Sequence, residues 1–380
     1  MDTNDHSHKT PGQLITSLLE SRGWTKRATA AILGVSEPAL SKMASDKQAV
    51  TADFAVALED VFSVPAEEFL RLQQGYDLAK ARYAAPPNPK RAARARLLSE
   101  LPIHEMISRN WLSVQSEKDI DDVENQLVKF FGQSDISAIS DLPYAFKKTD
   151  QDAPISLAQL AWLYRVQNIA RELLVPSSFT GHKAKDAISK LKLLLAAPEE
   201  ARHAPRILNE AGIRFLIVEG LKGGKIDGVC FWLNDYSPVI AMTLRHDRMD
   251  NFWFVLRHEL EHVNLGHGKV TPIVDSDIES GEGADSMSSE ELAANAAASE
   301  FCASPARVDS FIARKAPLFP ERDFLGLANI LGVHPSLVAG QIRFKTKRYE
   351  LFTKHMAKIR TCVLPSAIVD GWGDIAPVGN

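Results

Sequence analysis

The stretch DNFWFVLRHELEHVNLGHG, residues 250–268, predicts the helix around which the C-terminal half of this chain is organised. Asp250 can cap its start, and the glycines near its end can terminate it. At about 100° per residue, five apolar side chains fall on one face, whereas His258 and His262 fall on the other, with Glu259 at the border. The five apolar residues are Phe252, Trp253, Leu256, Leu260 and Val263. The pattern predicts a helix that packs through its apolar face and turns both imidazoles into a cleft.

The histidine spacing also predicts a metal site. Side chains at i and i+4 project from the same turn, so His258 and His262 can share one Zn²⁺ ion. The carboxylate of Glu259, next to the first histidine, can act as a base for an activated water. The alternative is a buried helix whose two histidines only form hydrogen bonds.

A second predicted helix begins at Ser288 or Ser289 and can supply a third ligand. A catalytic zinc usually keeps three protein ligands and one water, so a carboxylate from this helix is the expected complement. Glu291 is favoured over Glu290 because it shares a face with Asn295 at i+4. The alternative is a capping or solvated carboxylate pair. His267 does not fit the spacing of an additional histidine ligand and is predicted to be a helix-end residue.

Several motifs resemble the ImmA/IrrE-type metallo-endopeptidase domain, in the version fused to a HigA-type antitoxin. They are FWFVLRHELEH at 252–262, E-x-x-A-N at 291–295, VHPSLVAGQ at 333–341 and DGWGD at 370–374. With the N-terminal motifs described below, the resemblance covers most of the chain. It departs at Glu261, where the family often has a small residue. This departure adds a negative charge near the predicted site.

The resemblance implies a zinc ion bound by His258, His262 and Glu291, with Glu259 as the catalytic base. It also implies hydrolysis of a peptide bond in a DNA-bound repressor and a HigB-like ribonuclease toxin as a partner. His334 is a candidate for stabilising the oxyanion, although His-Pro at a helix start is more often structural. A non-catalytic antitoxin and autorepressor, whose metal domain is a sensor or scaffold, is the alternative function.

The N-terminal residues 11–78 read as five short helices with an internal helix-turn-helix pattern. Thr25 caps one helix, Gly34 makes the turn and Ser36 caps the next helix, which can enter the major groove of DNA. Leu40, Ile32 and Val35 are predicted to hold the pair together. The motifs T-A-D-x-A at 51–55 and L-x-L-Q-x-x-Y-x-L at 70–78 resemble the Cro/C1-type domain of HigA-like antitoxins. Lys26 and Thr29 depart from that pattern.

The predicted DNA-contacting residues belong to two groups. Candidates at base edges are Ser36, Glu37, Pro38, Ala39, Ser41 and Lys42 on the second helix, and candidates for phosphate contacts are Lys26, Arg27 and Lys47. Phosphate contacts fix the register of a protein on DNA, whereas base contacts carry the sequence information. The alternative is a small helical interaction bundle. Domains of this kind usually bind paired half-sites, so a homodimer on double-stranded DNA is expected.

Composition limits the remaining function classes. The chain has 380 residues, 45% of them hydrophobic and 24% charged, as in ordinary globular proteins of two or three domains. No run approaches the roughly 18 apolar residues that span a membrane. The polar start of the chain suggests no secretory signal. Three widely spaced cysteines argue against a disulfide framework, and a cytoplasmic location is therefore expected.

The expected fold class is α+β and mainly α, with a zincin-like C-terminal domain. Three apolar runs at 215–218, 229–233 and 239–244 predict a small antiparallel sheet ahead of the zinc helix. The predicted parts are a helix-turn-helix domain at 8–79, a basic linker at 80–100, a helical middle region at 101–204, a metallopeptidase domain at 205–345 and a tail at 346–380 that packs on it. An acidic, base-free stretch at 271–306 is predicted to be mainly a solvated loop.

Overall fold

The computed structural model describes residues 8–85, 89–142, 155–269, 272–276 and 288–377. Four of the eight acidic residues of the stretch 271–306, and the prolines at 86 and 87, therefore lie outside the described residues. The chain divides into two compact units, residues 1–89 and 90–380.

The first unit contains the five expected helices. They are α1 (Pro11–Arg22), α2 (Lys26–Ile32), α3 (Glu37–Met43), α4 (Ala52–Phe62) and α5 (Ala66–Ala84). Their core includes Ile15, Leu40, Leu58 and Phe69, all fully buried. Side chains from four different helices therefore enclose one hydrophobic core, which holds α2 and α3 in a fixed arrangement.

The second unit is mainly helical, as expected, and encloses a small sheet. Its helices are α6 (Pro89–Glu100), which starts at the boundary, α7 (Ile103–Ser108), α8 (Ile120–Phe131), α9 (Ile136–Asp141), α10 (Leu157–Glu172), α11 (Gly181–Lys192), α12 (Ala204–Glu210), α13 (Met249–Leu265), α14 (Ser289–Cys302), α15 (Pro305–Lys315), α16 (Glu321–Leu331), α17 (Pro335–Thr346) and α18 (Arg360–Val363). The strands are β1 (Arg214–Val218), β2 (Ile226–Trp232), β3 (Pro238–Met242), β4 (Ile273–Ser276) and β5 (Ile368–Asp370). Short 3₁₀ helices occupy Pro198–His203, Thr353–His355 and Leu364–Ser366.

The sheet is mixed, so the prediction of an antiparallel sheet was wrong. Its strand order is β4-β2-β3-β1-β5. β2 pairs antiparallel with β3 and β4, whereas β1 pairs parallel with β3 and β5. Both faces of the sheet are covered by helices, so each strand is a continuous apolar run in the sequence. Such runs do not indicate which strands are neighbours or in which direction they pair. The chain leaves β1 and crosses past the position of β3 before it forms β2.

Two helical layers cover the sheet. Because successive strand residues point to opposite faces, Phe215 and Ile217 of β1 join the core that contains α13, whereas Leu216 and Val218 join the core of α6–α10. The segment 101–204, predicted as a middle region, contributes helices to both cores. Helix α13 therefore packs against the sheet with one side and against α14 with another.

The segment predicted as a basic linker, 80–100, is helical at 80–84 and 89–100. Ala93 and Leu97 lie four residues apart on α6 and are buried in the core of the second unit. The guanidinium of Arg94 binds the carboxylates of Glu124 and Asp121. At least this basic residue is therefore used in an intramolecular ion pair, because α6 packs on α8.

Within the described ranges, no single helix has both the length and the apolar character needed to cross a membrane. In the part of the chain that the structure describes, one pair of helices, Glu321–Leu331 and Pro335–Thr346, bent by 115°, reaches that length and composition when taken together.

Candidate metal centre and helix-turn-helix

Helix α13 presents both histidines toward α14. The five apolar residues expected on one face are all at most 1% exposed and pack in the core below the sheet. His258 and His262 are 1% and 0% exposed, so the imidazoles are enclosed between helices and do not line an open cleft. The backbone N–H of Gly266, which has a left-handed conformation, ends the helix by donating to carbonyls of the last turn. Asp250 lies inside the first turn, where it pairs with Arg248, and does not cap the helix.

Helix α14 brings the carboxylate. The hydroxyl of Ser288 caps this helix by accepting the N–H of Glu291 at 3.2 Å. Ala294 and Ala298 are fully buried, and their small side chains allow α14 to lie close to α13. Glu291 is 2% exposed, whereas the side chain of Glu290 is 53% exposed. The structure thus brings Glu291, and not Glu290, to the histidines.

Three side-chain donors converge between the two helices. The two Nε2 atoms of His258 and His262 are 3.1 Å apart. The Glu291 carboxylate places Oε2 3.2 Å from Nε2 of His258 and Oε1 3.3 Å from Nε2 of His262. One ligand atom from each residue lies within 4.8 Å of the others, which is the arrangement a shared metal ion requires.

The outward ring nitrogens have partners that fix this orientation. Nδ1–H of His258 donates to Oδ1 of Asn295 at 3.0 Å. Nδ1 of His262 lies 3.1 Å from Nδ1 of His267, and Nε2 of His267 lies 3.6 Å from Oε1 of Glu290. Hydrogen bonds of this kind select the tautomer whose Nε2 carries a lone pair. His267 was predicted to be only a helix-end residue. Its contact was missed because a glycine turn reverses the chain between it and His262.

The donor set fits a divalent cation such as Zn²⁺. With their Nδ1 atoms bonded outward, both histidines aim Nε2 lone pairs at one point, next to a carboxylate. Three such donors repel each other unless a cation lies between them, and two nitrogens with one oxygen are ordinary zinc ligands. Burial raises the pKa of the Glu291 carboxyl, but when the rings of His258 and His262 carry a proton on Nε2 instead of a cation's bond, their hydrogen bonds and charge outweigh burial and bring the pKa to about 2. Glu291 is therefore an anion at neutral pH, as a ligand must be.

The neighbouring acidic residues differ in environment. Glu259 is 0% exposed and packs against Gly228 of β2, where a Cβ atom would overlap the carboxylate. Glu261, the unusual residue before the second histidine, forms an ion pair with Arg257 at 2.7 Å. The extra negative charge expected near the site is therefore compensated by an adjacent cation.

His334 has a structural position in the fold. Its Nδ1 accepts the N–H of Ser336 at 3.1 Å and thereby caps α17, and its own backbone N–H donates to the carbonyl of Leu195. Partial burial lowers the pKa of His334, which favours the neutral ring that can accept this bond. These bonds agree with the alternative that His334 has a structural role at the start of a helix. The group that would stabilise the oxyanion stays unassigned.

In the first unit, Thr25 and Ser36 cap α2 and α3 through their hydroxyls, as expected. Leu40 is fully buried and Val35 partly buried between the helices. Ile32, which was predicted to pack there, is 56% exposed. The prediction for Ile32 was wrong because it lies in the last turn of α2, on the face that turns away from α3.

Residues 15–69 match the helix-turn-helix family HTH_3. The first unit is a helix-turn-helix domain. The matched residues all lie within the first unit. The comparison with curated proteins gave no match.

Among the solved structures that match, three are each similar to about a fifth of the chain. They are antitoxin GraA (28% identity, 20% of this chain and 81% of that one), Pseudomonas aeruginosa antitoxin HigA with the higBA promoter (29%, 20% and 83%) and a hypothetical protein from E. coli (27%, 19% and 76%). Each has a TM-score of 0.19.

All nine predicted DNA-contacting residues lie on or next to α2 and α3. Exposed among them are Lys26, Arg27, Ser36, Glu37, Pro38, Lys42 and Lys47, whereas Ala39 and Ser41 are half-buried. Within residues 8–85, the four cations of this set have no carboxylate within ion-pairing distance. A face with uncompensated positive charge around the start of a recognition helix is suited to phosphate groups.

Proposed function

We propose that this protein is a DNA-binding transcription regulator whose second unit is a zinc-dependent endopeptidase. The observation that carries the enzymatic part is the convergence of His258, His262 and Glu291, with Glu259 on the same helix turn. The exposed cations on α2 and α3 support the DNA-binding part. The proposed substrate is a repressor or partner protein. A homodimer on operator DNA and a HigB-like toxin partner follow from the resemblance of the sequence, and a cytoplasmic location follows from its three widely spaced cysteines; all three belong to the same proposal.

The residues divide the chemical work. His258, His262 and Glu291 would hold a zinc ion, which would supply the Lewis acidity that peptide hydrolysis needs. The carboxylate of Glu259 takes the proton from the attacking water and returns it to the nitrogen of the leaving amine. Asn295 and His267 hold the two imidazoles in the ligating orientation. Gly228 leaves the space in which the Glu259 carboxylate is packed.

A second function is favoured by a different observation. All three ligands and Glu259 are at most 2% exposed, and closed sites of this kind are typical of structural zinc, whereas catalytic sites keep an open position. The protein would then be an antitoxin-like repressor whose metal domain is a sensor or scaffold.

The two functions are separated by comparing the full-length protein with Glu259→Gln. Both proteins are assayed for zinc content, for binding to promoter DNA, and for cleavage of their own chain and of repressors encoded beside the gene. The enzymatic proposal expects equal zinc content in these two proteins, with cleavage by the unsubstituted protein and none by Glu259→Gln. Glu300→Gln, a matched change of an exposed residue on α14, is the control and should cleave normally. Zinc binding without cleavage by any of the proteins supports the scaffold. Lack of stoichiometric zinc refutes both.

A further inference from the structure

A cavity of about 360 Å³ lies between α13, α14 and α17, one helical turn from the metal-binding triad. Its floor is apolar and buried, with Leu337 1% and Cys302 3% exposed. Three large apolar side chains at its mouth, Leu292, Phe344 and Tyr349, are 41–52% exposed. A cavity of this volume holds a small organic molecule, and exposed apolar side chains around a recess are typical of a binding site.

The charge at this cavity comes from Arg343. Two other lining cations already have carboxylate partners, since Arg248 pairs with Asp250 and Lys345 pairs with Asp309. The Nε atom of Arg343 is buried and makes no hydrogen bond to any described residue. Its guanidinium lies 5.9 Å from the centre of the Tyr349 ring.

The carboxylate of Glu350 lies near enough to Arg343 to interact with its charge, but its hydrogen bond at 2.9 Å is to Arg348. A buried guanidinium N–H without an acceptor favours a carboxylate ligand, which can satisfy it with a charge-assisted hydrogen bond.

A second unbonded polar atom points to a donor on the same ligand. The amide N–H₂ of Gln341 donates to the carbonyls of Ser299 and Ala303, but its Oε1 is buried and accepts no hydrogen bond from the described residues. Gln341 is 9% exposed and lines the cavity. Leaving a buried acceptor without a hydrogen bond is destabilising, so a ligand N–H or O–H at this position is stabilising.

Two residues that line the cavity also contact His258 of the metal-binding triad. Asn295, which accepts the Nδ1–H of His258, lines it, and so does Phe254, whose ring stacks on the His258 imidazole with centroids 6.5 Å apart. Gly340 of α17 lies so close to the carboxylate of Asp250 that a Cβ atom would not fit. A molecule in the cavity therefore touches the side chains that orient His258.

We propose that this cavity binds a small carboxylate with a flat apolar body and one N–H or O–H donor, and that its binding changes the affinity of the triad for metal. The binding itself requires only the cavity, whereas the coupling also rests on the proposed metal site. A suitable probe is indole-3-acetate, which combines the carboxylate, the aromatic body and the donor.

The test is calorimetric titration of indole-3-acetate into the full-length protein, with 1-methylindole-3-acetate and indole-3-acetamide as matched probes. We expect saturable binding of indole-3-acetate. Indole-3-acetamide, which lacks the carboxylate charge, should bind about tenfold more weakly, and 1-methylindole-3-acetate, which lacks the N–H, should show a smaller loss of affinity, in line with the energies of charged and neutral hydrogen bonds. Arg343→Gln should weaken binding by a similar factor. Arg314→Gln, an exposed guanidinium on α15, should not. Absence of saturable binding, or equal affinity in all these proteins, overturns the proposal.

Two further variants keep the cavity and the metal site distinguishable. Ser299→Trp fills the cavity and should abolish binding, with its thermal unfolding measured alongside; if this variant does not fold, Arg343→Gln alone decides. His258→Ala should lose zinc but still bind indole-3-acetate, so the cavity can be tested even if the metal proposal fails.

The coupling between cavity and metal site is tested by removing zinc with a competing chelator, with and without indole-3-acetate. A severalfold change in zinc affinity that disappears in Asn295→Ala supports the coupling, and an unchanged affinity refutes it.

Discussion

Gly228 on β2 lies directly against the carboxylate of Glu259 on α13, with no room for a Cβ atom between them. The carboxylate of the proposed catalytic base therefore occupies the space that a side chain at position 228 would need.

We predict that Gly228→Ala destabilises the protein by about 1–3 kcal/mol, the usual cost of forcing an extra methyl group into a packed core. Because Glu259 must move, cleavage should also fall. The free energy of unfolding is measured by denaturant titration. Gly220→Ala is the matched control, since its Cβ would lie 3.6 Å from the nearest atom of Thr243, an ordinary contact. Equal stability of the two variants would contradict the prediction.

The C-terminal strand is held by a buried ion pair. Nε and an Nη atom of Arg165 on α10 donate to the two carboxylate oxygens of Asp370, which also accepts the indole N–H of Trp111 at 2.7 Å. Asp370→Ala leaves a buried guanidinium uncompensated and should cost about 3–5 kcal/mol. Asp374→Ala, an exposed position in the same tail, should change the unfolding midpoint little. A small loss of stability in Asp370→Ala would mean that the tail does not depend on this pair.

His267 is expected to act as a positioning residue for His262. Removing the partner of a ligating imidazole typically lowers metal affinity about 10–100-fold, and we predict this loss for His267→Ala in a chelator competition. His182→Ala, an exposed histidine on α11, is the control. Unchanged zinc affinity in His267→Ala would show that the contact between the two rings does not support ligation.

Metal removal should lower the thermal stability of the second unit. A ligand present at about 1,000 times its dissociation constant stabilises the folded state by about 4 kcal/mol. Adding excess chelator should therefore reduce the unfolding temperature of the unsubstituted protein by several degrees. In His258→Ala the chelator should have no effect. A shift of equal size in both proteins would assign the metal to another site.

The cations of the helix-turn-helix domain should determine salt-dependent binding. Each phosphate contact contributes about 0.9 to the slope of log affinity against log salt concentration. Lys26→Gln and Lys47→Gln, which remove two of the predicted phosphate contacts, should each reduce the slope by about this amount on duplex DNA of any sequence. Lys185→Gln, on α11 of the second unit, should leave it unchanged. Slopes that are equal in all four proteins would exclude these lysines from the DNA interface.

Local sequence patterns determined much of this protein. The caps at Thr25 and Ser36, and the apolar stripe of the helix that carries His258 and His262, were predictable because capping and helix periodicity act over a few residues. The spacing i, i+4 alone places the two imidazoles on one side of that helix. Ile32 was misjudged although it belongs to the same motif, since periodicity gives a face but not which neighbour covers it.

Contacts between distant segments were decided only by the tertiary structure. The parallel pairing of β1 with β3 and β5, the role of His267 and the cavity beside Asn295 all depend on packing between elements far apart in the chain. Their residues carry no periodic signal, because burial on both faces makes the strands uniformly apolar and a helix crossing leaves no trace in sequence spacing. Local geometry therefore supplies the donors, and only the packing of α14 on α13 makes them one site.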